Sequence, residues 1–259
     1  MRISLIQMDI AFGNPEANYS IAETKIREAA SGGSDCLILP ELWTTGYDLT
    51  RLKETADPEG EITKRFIAAF AKEYNINIIA GSIALMKPDG ITNSMLVFDR
   101  LGELVGQYSK LHLFGLMNEH LYLKSGEAKG LFTLDGVPSA GVICYDIRFP
   151  EWIRAHMTQG AEVLFVSAEW PLQRLSHWRA LLISRAIENQ CYVVACNRTG
   201  SDPANIFAGH SLIIDPWGDI VTEASEGEEI ISGEIDLDKV RLVRQQIPIF
   251  ADRRPHLYR

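Results

Sequence analysis

Cysteine is scarce: Cys36, Cys144, Cys191 and Cys196 are the only four, and no two form a CxxC pair. That pattern excludes a dense disulfide framework and a paired-cysteine zinc or redox motif. No apolar run approaches the roughly 20 residues that a membrane-spanning helix needs. The opening stretch MRISLIQMDIAF alternates apolar and polar residues, is interrupted by Asp9 and lacks a small-residue cleavage site. It therefore reads as a strand rather than a signal peptide, and a reduced, cytoplasmic protein is expected. Basic residues are in the minority, 25 Lys+Arg against 34 Asp+Glu, for a net charge of −9. A general nucleic-acid binder is thereby excluded, since it needs a basic face. A small anionic substrate is not excluded, because one buried Arg or Lys is enough to hold a carboxylate. No Pro/Ser-rich linker, low-complexity tract or internal repeat divides the chain, so residues 1–259 are expected to form a single domain.

With 46% hydrophobic and 23% charged residues, the chain can fill a core and remain soluble. Alternation predicts a strand over Arg2–Asp9. Asn14-Pro15-Glu16 predicts a helix start, with the helix running to about Ala30 and stopping at Gly32-Gly33. Short apolar strands are expected at Cys36–Leu39 and Ile76–Ala80, separated by a helix over Ile62–Tyr74. Asn93–Asp99 and Glu103–Tyr108 read as a hairpin through Arg100-Leu101-Gly102. Leu131–Leu134 and Ala140–Cys144 are joined around the turn-like Asp135-Gly136. Helices follow over Pro150–Gln159 and Trp178–Asn189, each leading to a strand, Val163–Ser167 and Tyr192–Asn197. Strands over Ser211–Ile214, Asp219–Thr222 and Ile230–Ile235 and a helix over Leu237–Gln246 complete the chain. This mixture indicates an α/β fold with helices covering strand layers.

Three predicted strands end in residues with chemical potential. Glu41 follows Cys36–Leu39, Lys110 follows the strand ending near Tyr108, and Cys144 closes Ala140–Ile143 ahead of a helix. Strand ends are where α/β proteins converge reactive groups. Taken singly, Cys144 reads first as a small hydrophobe closing a buried strand, and Glu41 and Lys110 as solvated charges. A thiol at a helix start feels the positive end of the helix dipole, which favours the thiolate. The Tyr145 backbone N–H would there serve as an oxyanion donor. The loop Leu111–Ser125 carries His112, Glu119 and His120 beside an apolar run, as a pocket wall or an interface would. A cysteine–histidine hydrolase using either histidine is the competing reading of these residues.

The segments LILPELWTTGY, YSKLHLF, GVICYDIRFPE, RAIENQCYVVACNRTG, GHSLIIDPWGDI and RQQIPIF, in that order, resemble the nitrilase or carbon–nitrogen hydrolase superfamily over nearly the whole chain. The resemblance implies an α-β-β-α sandwich that pairs into homodimers or larger homo-oligomers, with the last ~15 residues as an extension available for such contacts. It implies a catalytic triad of Glu41, Lys110 and Cys144, a supporting Glu119, no metal and no organic cofactor. The run KLHLFGLMNEHLYLKSGE, the Trp170-Pro171 step and the RQQIPIF tail resemble the omega-amidase subgroup, which hydrolyses short dicarboxylate monoamides such as 2-oxoglutaramate. One departure from related bacterial sequences is Glu169, where they carry Asn before Trp-Pro. An acid there would repel a carboxylate substrate or alter chain-length preference. Arg148 is the candidate for the substrate's distal carboxylate, against a structural ion pair with Asp146 or Glu151. Tyr47 and Trp170 are expected as pocket walls or ordinary core. Residues 206–210 are expected near a pocket, reached across an interface.

Overall fold

Alternate residues of the first strands are apolar on both faces, so each strand must be covered on both sides. In the computed structural model, which describes residues 1–258, that is how they sit. Along β1 (Arg2–Gln7), Ile3 and Leu5 point to one hydrophobic cluster and Ile6 to another. Along β2 (Cys36–Ile38), Cys36 and Ile38 share the first cluster, while Leu37 belongs to the second. The second cluster lies under two helices, α1 (Pro15–Ser31) and α2 (Glu61–Tyr74), which supply Ala22, Ile26, Ile67 and Phe70. Helix α1 starts as the sequence predicts, with Asn14 Oδ1 accepting from Ala17 N–H and Pro15 at the first helical position.

The first sheet continues with β3 (Asn77–Lys87), β4 (Gly90–Phe98) and β5 (Leu104–Ser109). The second contains β6 (Leu131–Leu134), β7 (Val137–Ile143), β8 (Val163–Ala168), β9 (Tyr192–Asn197), β10 (Leu212–Ile214) and β11 (Ile220–Glu223). Strand β12 (Glu229–Glu234) returns to pair antiparallel with β1. The order in the first sheet is β12-β1-β2-β3-β4-β5, with the short segment Asp57–Pro58 beside β3. The order in the second is β11-β10-β9-β8-β7-β6. Helices α3 (Pro150–Met157) and α4 (Leu175–Asn189) add Ile153, Met157, Trp178 and Leu182 to the core of the second sheet. The result is the expected α-β-β-α sandwich. Helix α5 (Leu237–Gln246) follows β12 where the sequence predicts it.

Strand β3 is much longer than the predicted Ile76–Ala80, and β4 begins earlier than Asn93. The cause is an irregularity that sequence periodicity reads as an end: the β3–β4 register shifts between Ile79 and Ser82, around Gly81 at φ +56°. After this bulge the ladder resumes to Lys87↔Gly90.

Candidate active site

Glu41 and Lys110 lie just beyond β2 and β5 of the first sheet, and Cys144 just beyond β7 of the second. The two sheets are tied here by Ser167 Oγ, which donates to Leu39 O at 2.9 Å. Glu41 hangs on a tightly specified turn. Leu42 has φ +41° and its N–H donates to Ser82 Oγ at 2.9 Å. Gly81 is required beside it, because a Cβ there would collide with the Pro40 carbonyl oxygen.

Glu41 is fully buried and surrounded by donors. Its Oε1 accepts from Lys110 Nζ at 2.8 Å, Asn93 Nδ2 at 2.8 Å and Tyr47 OH at 3.0 Å. Its Oε2 accepts from the Glu169 backbone N–H at 2.9 Å. Lys110 Nζ also donates to Glu119 Oε1 at 2.6 Å, and Phe114 N–H holds Glu119 Oε2 at 2.9 Å. Lys110 thus bridges two carboxylates with no exposure to water. Burial opposes the ammonium, but Glu119 and Glu41 outweigh it and hold Lys110 well above its ordinary range. Burial pushes the Glu119 carboxyl up, and Glu41 adds to this against the pull of Lys110. Tyr47 is therefore more than a wall: its hydroxyl lies 2.6 Å from Glu119 Oε1 and 3.0 Å from Glu41 Oε1.

Cys144 opens a short 3-10 turn, Cys144–Arg148, at φ +44°. A positive φ at a non-glycine residue is a strained conformation that must be held from outside. Asp146 holds it, reaching back with Oδ2 to accept Ile143 N–H at 3.0 Å and Tyr108 OH at 2.7 Å. Its Oδ1 accepts from His112 N–H at 3.1 Å and meets His112 Nδ1 at 2.8 Å.

The expectation of a dipole-favoured thiolate is corrected. Burial pushes the Cys144 thiol well above its ordinary value and Glu41 adds to this, while Lys110 pulls the other way. One turn of 3-10 helix in a desolvated pocket supplies too little dipole to compete with burial. The resting residue is a thiol facing a carboxylate. The first N–H groups of a helical turn lack intrahelical acceptors, which leaves Tyr145 N–H available beside the sulfur. Neither histidine competes for this place. His112 stacks on Phe149 at 3.6 Å and bonds Asp146, and His120 is exposed.

Cys144 lines a narrow cavity of about 10 Å³ with Met117, Arg148, Glu169, Trp170 and Arg174. Arg148 forms neither ion pair foreseen for it. Its guanidinium lies 4.8 Å over the Trp170 ring and meets His177 Nδ1 at 3.4 Å. Arg174, which sequence reasoning missed, lies 5.6 Å over Phe114. Among the described residues, no carboxylate lies within 4 Å of either guanidinium. Trp170 is buried, donates its ring N–H to Arg174 O at 2.8 Å and lines the cavity.

Glu169 is not a free charge at the pocket edge. It is fully buried and its Oε2 accepts from Arg198 Nη1 at 2.8 Å. Residues 206–210 fold back within the chain: Phe207 lies 4.1 Å under Arg198, and Ala208 N–H donates to Trp170 O at 2.9 Å.

A buried carboxylate–ammonium cluster facing a neutral thiol, beside a strand-to-turn junction with open N–H groups, suits nucleophilic acyl transfer. Among the described residues, no group of three or more His, Cys, Asp or Glu side chains is placed to hold a metal. The carbon–nitrogen hydrolase profile matches residues 2–245. The chain is 55% identical to a 2-oxoglutaramate amidase of Bacillus subtilis, over 99% of this chain and 98% of that protein. It is 33% identical to an omega-amidase of Homo sapiens, over 99% of this chain and 96% of that protein. A carbon–nitrogen hydrolase superfamily protein of Xanthomonas campestris, solved with an arsenic adduct in its active site, superposes with a TM-score of 0.92. It is 31% identical, with 98% of this chain and 97% of that one covered. Fold, profile and relatives agree: the chain belongs to the carbon–nitrogen hydrolase family.

Proposed function

We propose that this enzyme hydrolyses the terminal carboxamide of a small omega-amide acid such as 2-oxoglutaramate, with Cys144 as nucleophile, Glu41 as general base and Lys110 as oxyanion cation. The observation that carries the chemistry is the Glu41–Lys110–Glu119 cluster, fully desolvated and facing the Cys144 thiol. Glu41 takes the thiol proton as sulfur attacks the amide carbon. Lys110 Nζ and the Tyr145 N–H receive the oxygen's developing charge, a role in which one lost donor costs roughly 100–1,000-fold. Glu41 returns the proton to the leaving nitrogen, and ammonia departs from a Cys144 thioester. Water, deprotonated by Glu41, then splits the thioester and restores the thiol. Glu119 fixes Lys110 between the two carboxylates.

The substrate reading draws on the amidase of Bacillus subtilis at 55% identity and on the two guanidinium groups, Arg148 and Arg174, which lack acidic partners at the cavity. They suit a carboxylate on the far end of the acyl chain. A reducing, cytoplasmic setting fits a mechanism that starts from the thiol, and no helix among the described residues is long and apolar enough to cross a membrane. Homo-oligomer formation is part of the same reading. Exposed Ile187, Trp217 and Ile247 line one groove beside the C-terminal segment, with no cover among the described residues.

The test is ammonia release from 2-oxoglutaramate, succinamate, glutamine, a short nitrile and an N-carbamoyl amino acid, by wild type and by Cys144→Ala. Turnover of the first two, lost in the variant, is the expected outcome. Turnover of only the nitrile or carbamoyl compound refutes the substrate. Ammonia production by Cys144→Ala refutes the nucleophile.

A further inference from the structure

Glu169 carries one satisfied oxygen and one orphan. Oε2 accepts from Arg198 Nη1 at 2.8 Å. Oε1 is shut off from solvent and has no hydrogen-bond partner in the protein. A buried carboxyl oxygen left without a partner is costly, so a native fold that retains one calls for an explanation. The residue lines the same cavity as Cys144, and its backbone N–H is fixed on Glu41 Oε2 at 2.9 Å. Glu169 therefore borders the space beside Cys144, and Oε1 is the part of its carboxyl left without a partner in the protein.

We propose that Glu169 is a specificity-determining residue, its Oε1 carrying a hydrogen that it donates to the oxygen on carbon 2 of a 2-oxo acid amide. The inference rests on the omega-amide reading above and deepens it.

The cavity's other polar groups agree with this assignment. Arg148 and Arg174 are donors only, so a ligand among them must present acceptors. Oε2 is already engaged by the Arg198 donor, which leaves Oε1 as the seat of any proton. Burial raises the Glu169 carboxyl to about 8, against the opposing pull of Arg198, so the neutral acid prevails near neutrality. Arg198 is itself shared with Asp9 Oδ1 at 2.8 Å, which weakens its hold on Glu169. The other charged or titratable groups that face this carboxyl are Glu41, Asp202, Tyr47 and Cys144. Glu41 and Asp202 oppose its ionisation, Tyr47 is held protonated by burial, and Cys144 is a thiol at rest. A 2-ammonium group, as in glutamine, would set donors against a donor and be rejected. A site built to hydrogen-bond one group discriminates strongly against an analogue that lacks it.

Glu169→Gln separates this role from a merely structural one. The amide keeps an acceptor for Arg198 and turns a permanent N–H donor to the cavity. Steady-state kinetics of both enzymes with 2-oxoglutaramate and with succinamate, which has no oxygen at carbon 2, are measured from pH 6.5 to 9.5. The ratio of wild-type to variant kcat/KM cancels every ionisation that the two enzymes share, including that of Cys144, and any pH-dependent change in the substrate. With 2-oxoglutaramate this ratio is expected to fall above about pH 8, approaching tenfold per pH unit while the hydrogen bond dominates binding. The loss should lie in KM rather than kcat, and with succinamate the ratio should stay flat. A pH-independent ratio, or an equal fall with both substrates, overturns the proposal. If the variant melts below assay temperature, wild type alone decides. Its KM for succinamate divided by its KM for 2-oxoglutaramate must then fall over the same pH range, and a constant quotient overturns the proposal. No ammonia from either amide at any pH is a different failure, which removes the omega-amide reading and this inference with it.

Discussion

Asp146→Asn is the sharpest test of how Cys144, the proposed nucleophile, is held. The change keeps shape and volume but turns one acceptor oxygen into an NH₂ group. Both oxygens of Asp146 face a backbone donor: Oδ2 takes Ile143 N–H at 3.0 Å and Oδ1 takes His112 N–H at 3.1 Å. Tyr108 OH can rotate and His112 can change tautomer, so their bonds survive either amide orientation. The backbone N–H groups have no such freedom. Whichever way the amide turns, one of them confronts an NH₂ in a site fully shielded from water. An unsatisfied buried donor costs about 1–3 kcal/mol, and the charge-assisted bonds weaken as well, for a total of about 3 kcal/mol. At about 2–4 °C per kcal/mol for a chain of this size, the melting temperature should fall by about 6–12 °C. Activity should fall too, because Ile143 is the hinge that delivers Cys144 at φ +44°. Differential scanning calorimetry of the two proteins, with ammonia release at 20 °C below the lower transition, reads both effects. A melting temperature within about 2 °C of wild type, with full activity, would refute the claim that Asp146 holds the turn.

Tyr47→Phe removes a hydroxyl shared by Glu41 and Glu119. Loss of a bond to a charged group of about 1.5–3 kcal/mol predicts a fall in kcat/KM of roughly 10–150-fold with little loss of folding, and unchanged kinetics would contradict the network. Gly81→Ala places a methyl against the Pro40 carbonyl at a residue with φ +56°. It should destabilise by on the order of 2 kcal/mol or more and displace Glu41, so a soluble variant with wild-type stability and kinetics would show that the turn tolerates strain. Glu169 makes stability pH-dependent in a definite direction. Its folded value, about 8, lies above the ordinary 4.5. Its stabilising contribution is therefore complete below about pH 4.5 and is lost as pH rises through about 8, a change on the order of 4 kcal/mol between pH 5 and 8. Urea denaturation across that range should show a decline that Glu169→Gln flattens, and parallel curves for the two proteins would contradict it.

The positions of Glu41, Lys110 and Cys144 at strand ends were legible because strand limits follow from local alternation and turn residues. What brings the three together is the packing of two sheets, and this was accessible only through resemblance. Asn93 had a signal that went unread. It shares its strand face with Met95 and Val97, which lie in the inter-sheet core, so a polar side chain in that register is either satisfied by a special partner or destabilising. The Glu169–Arg198 pair had no local signal. The residues follow β8 and β9, neighbours in a parallel pair whose last register is Asn197↔Ala168, and their adjacency appears only once that pairing is known. The misjudged thiol has the same origin. A helix dipole can be inferred from sequence position, but desolvation depends on residues far along the chain, and in this site desolvation is the larger effect.

That desolvation is compatible with fast chemistry for a reason visible in the charge count of the proposed cycle. At rest the cluster holds the Glu41 carboxylate, the Lys110 ammonium and a neutral thiol, with Glu119 beyond the lysine. After attack Glu41 is neutral, and the substrate oxygen carries the negative charge instead. The sum is the same in both states, whichever proton state Glu119 holds. Losing the thiol proton to solvent would add a second negative charge beside Glu41 in a buried site, which is why the thiol is held protonated. Moving an existing negative charge from one side of a fixed ammonium to the other adds none, and the dipoles already in place need little reorganisation. In the proposed cycle, burial therefore suppresses loss of the thiol proton to solvent while leaving its transfer to Glu41, concerted with attack, open.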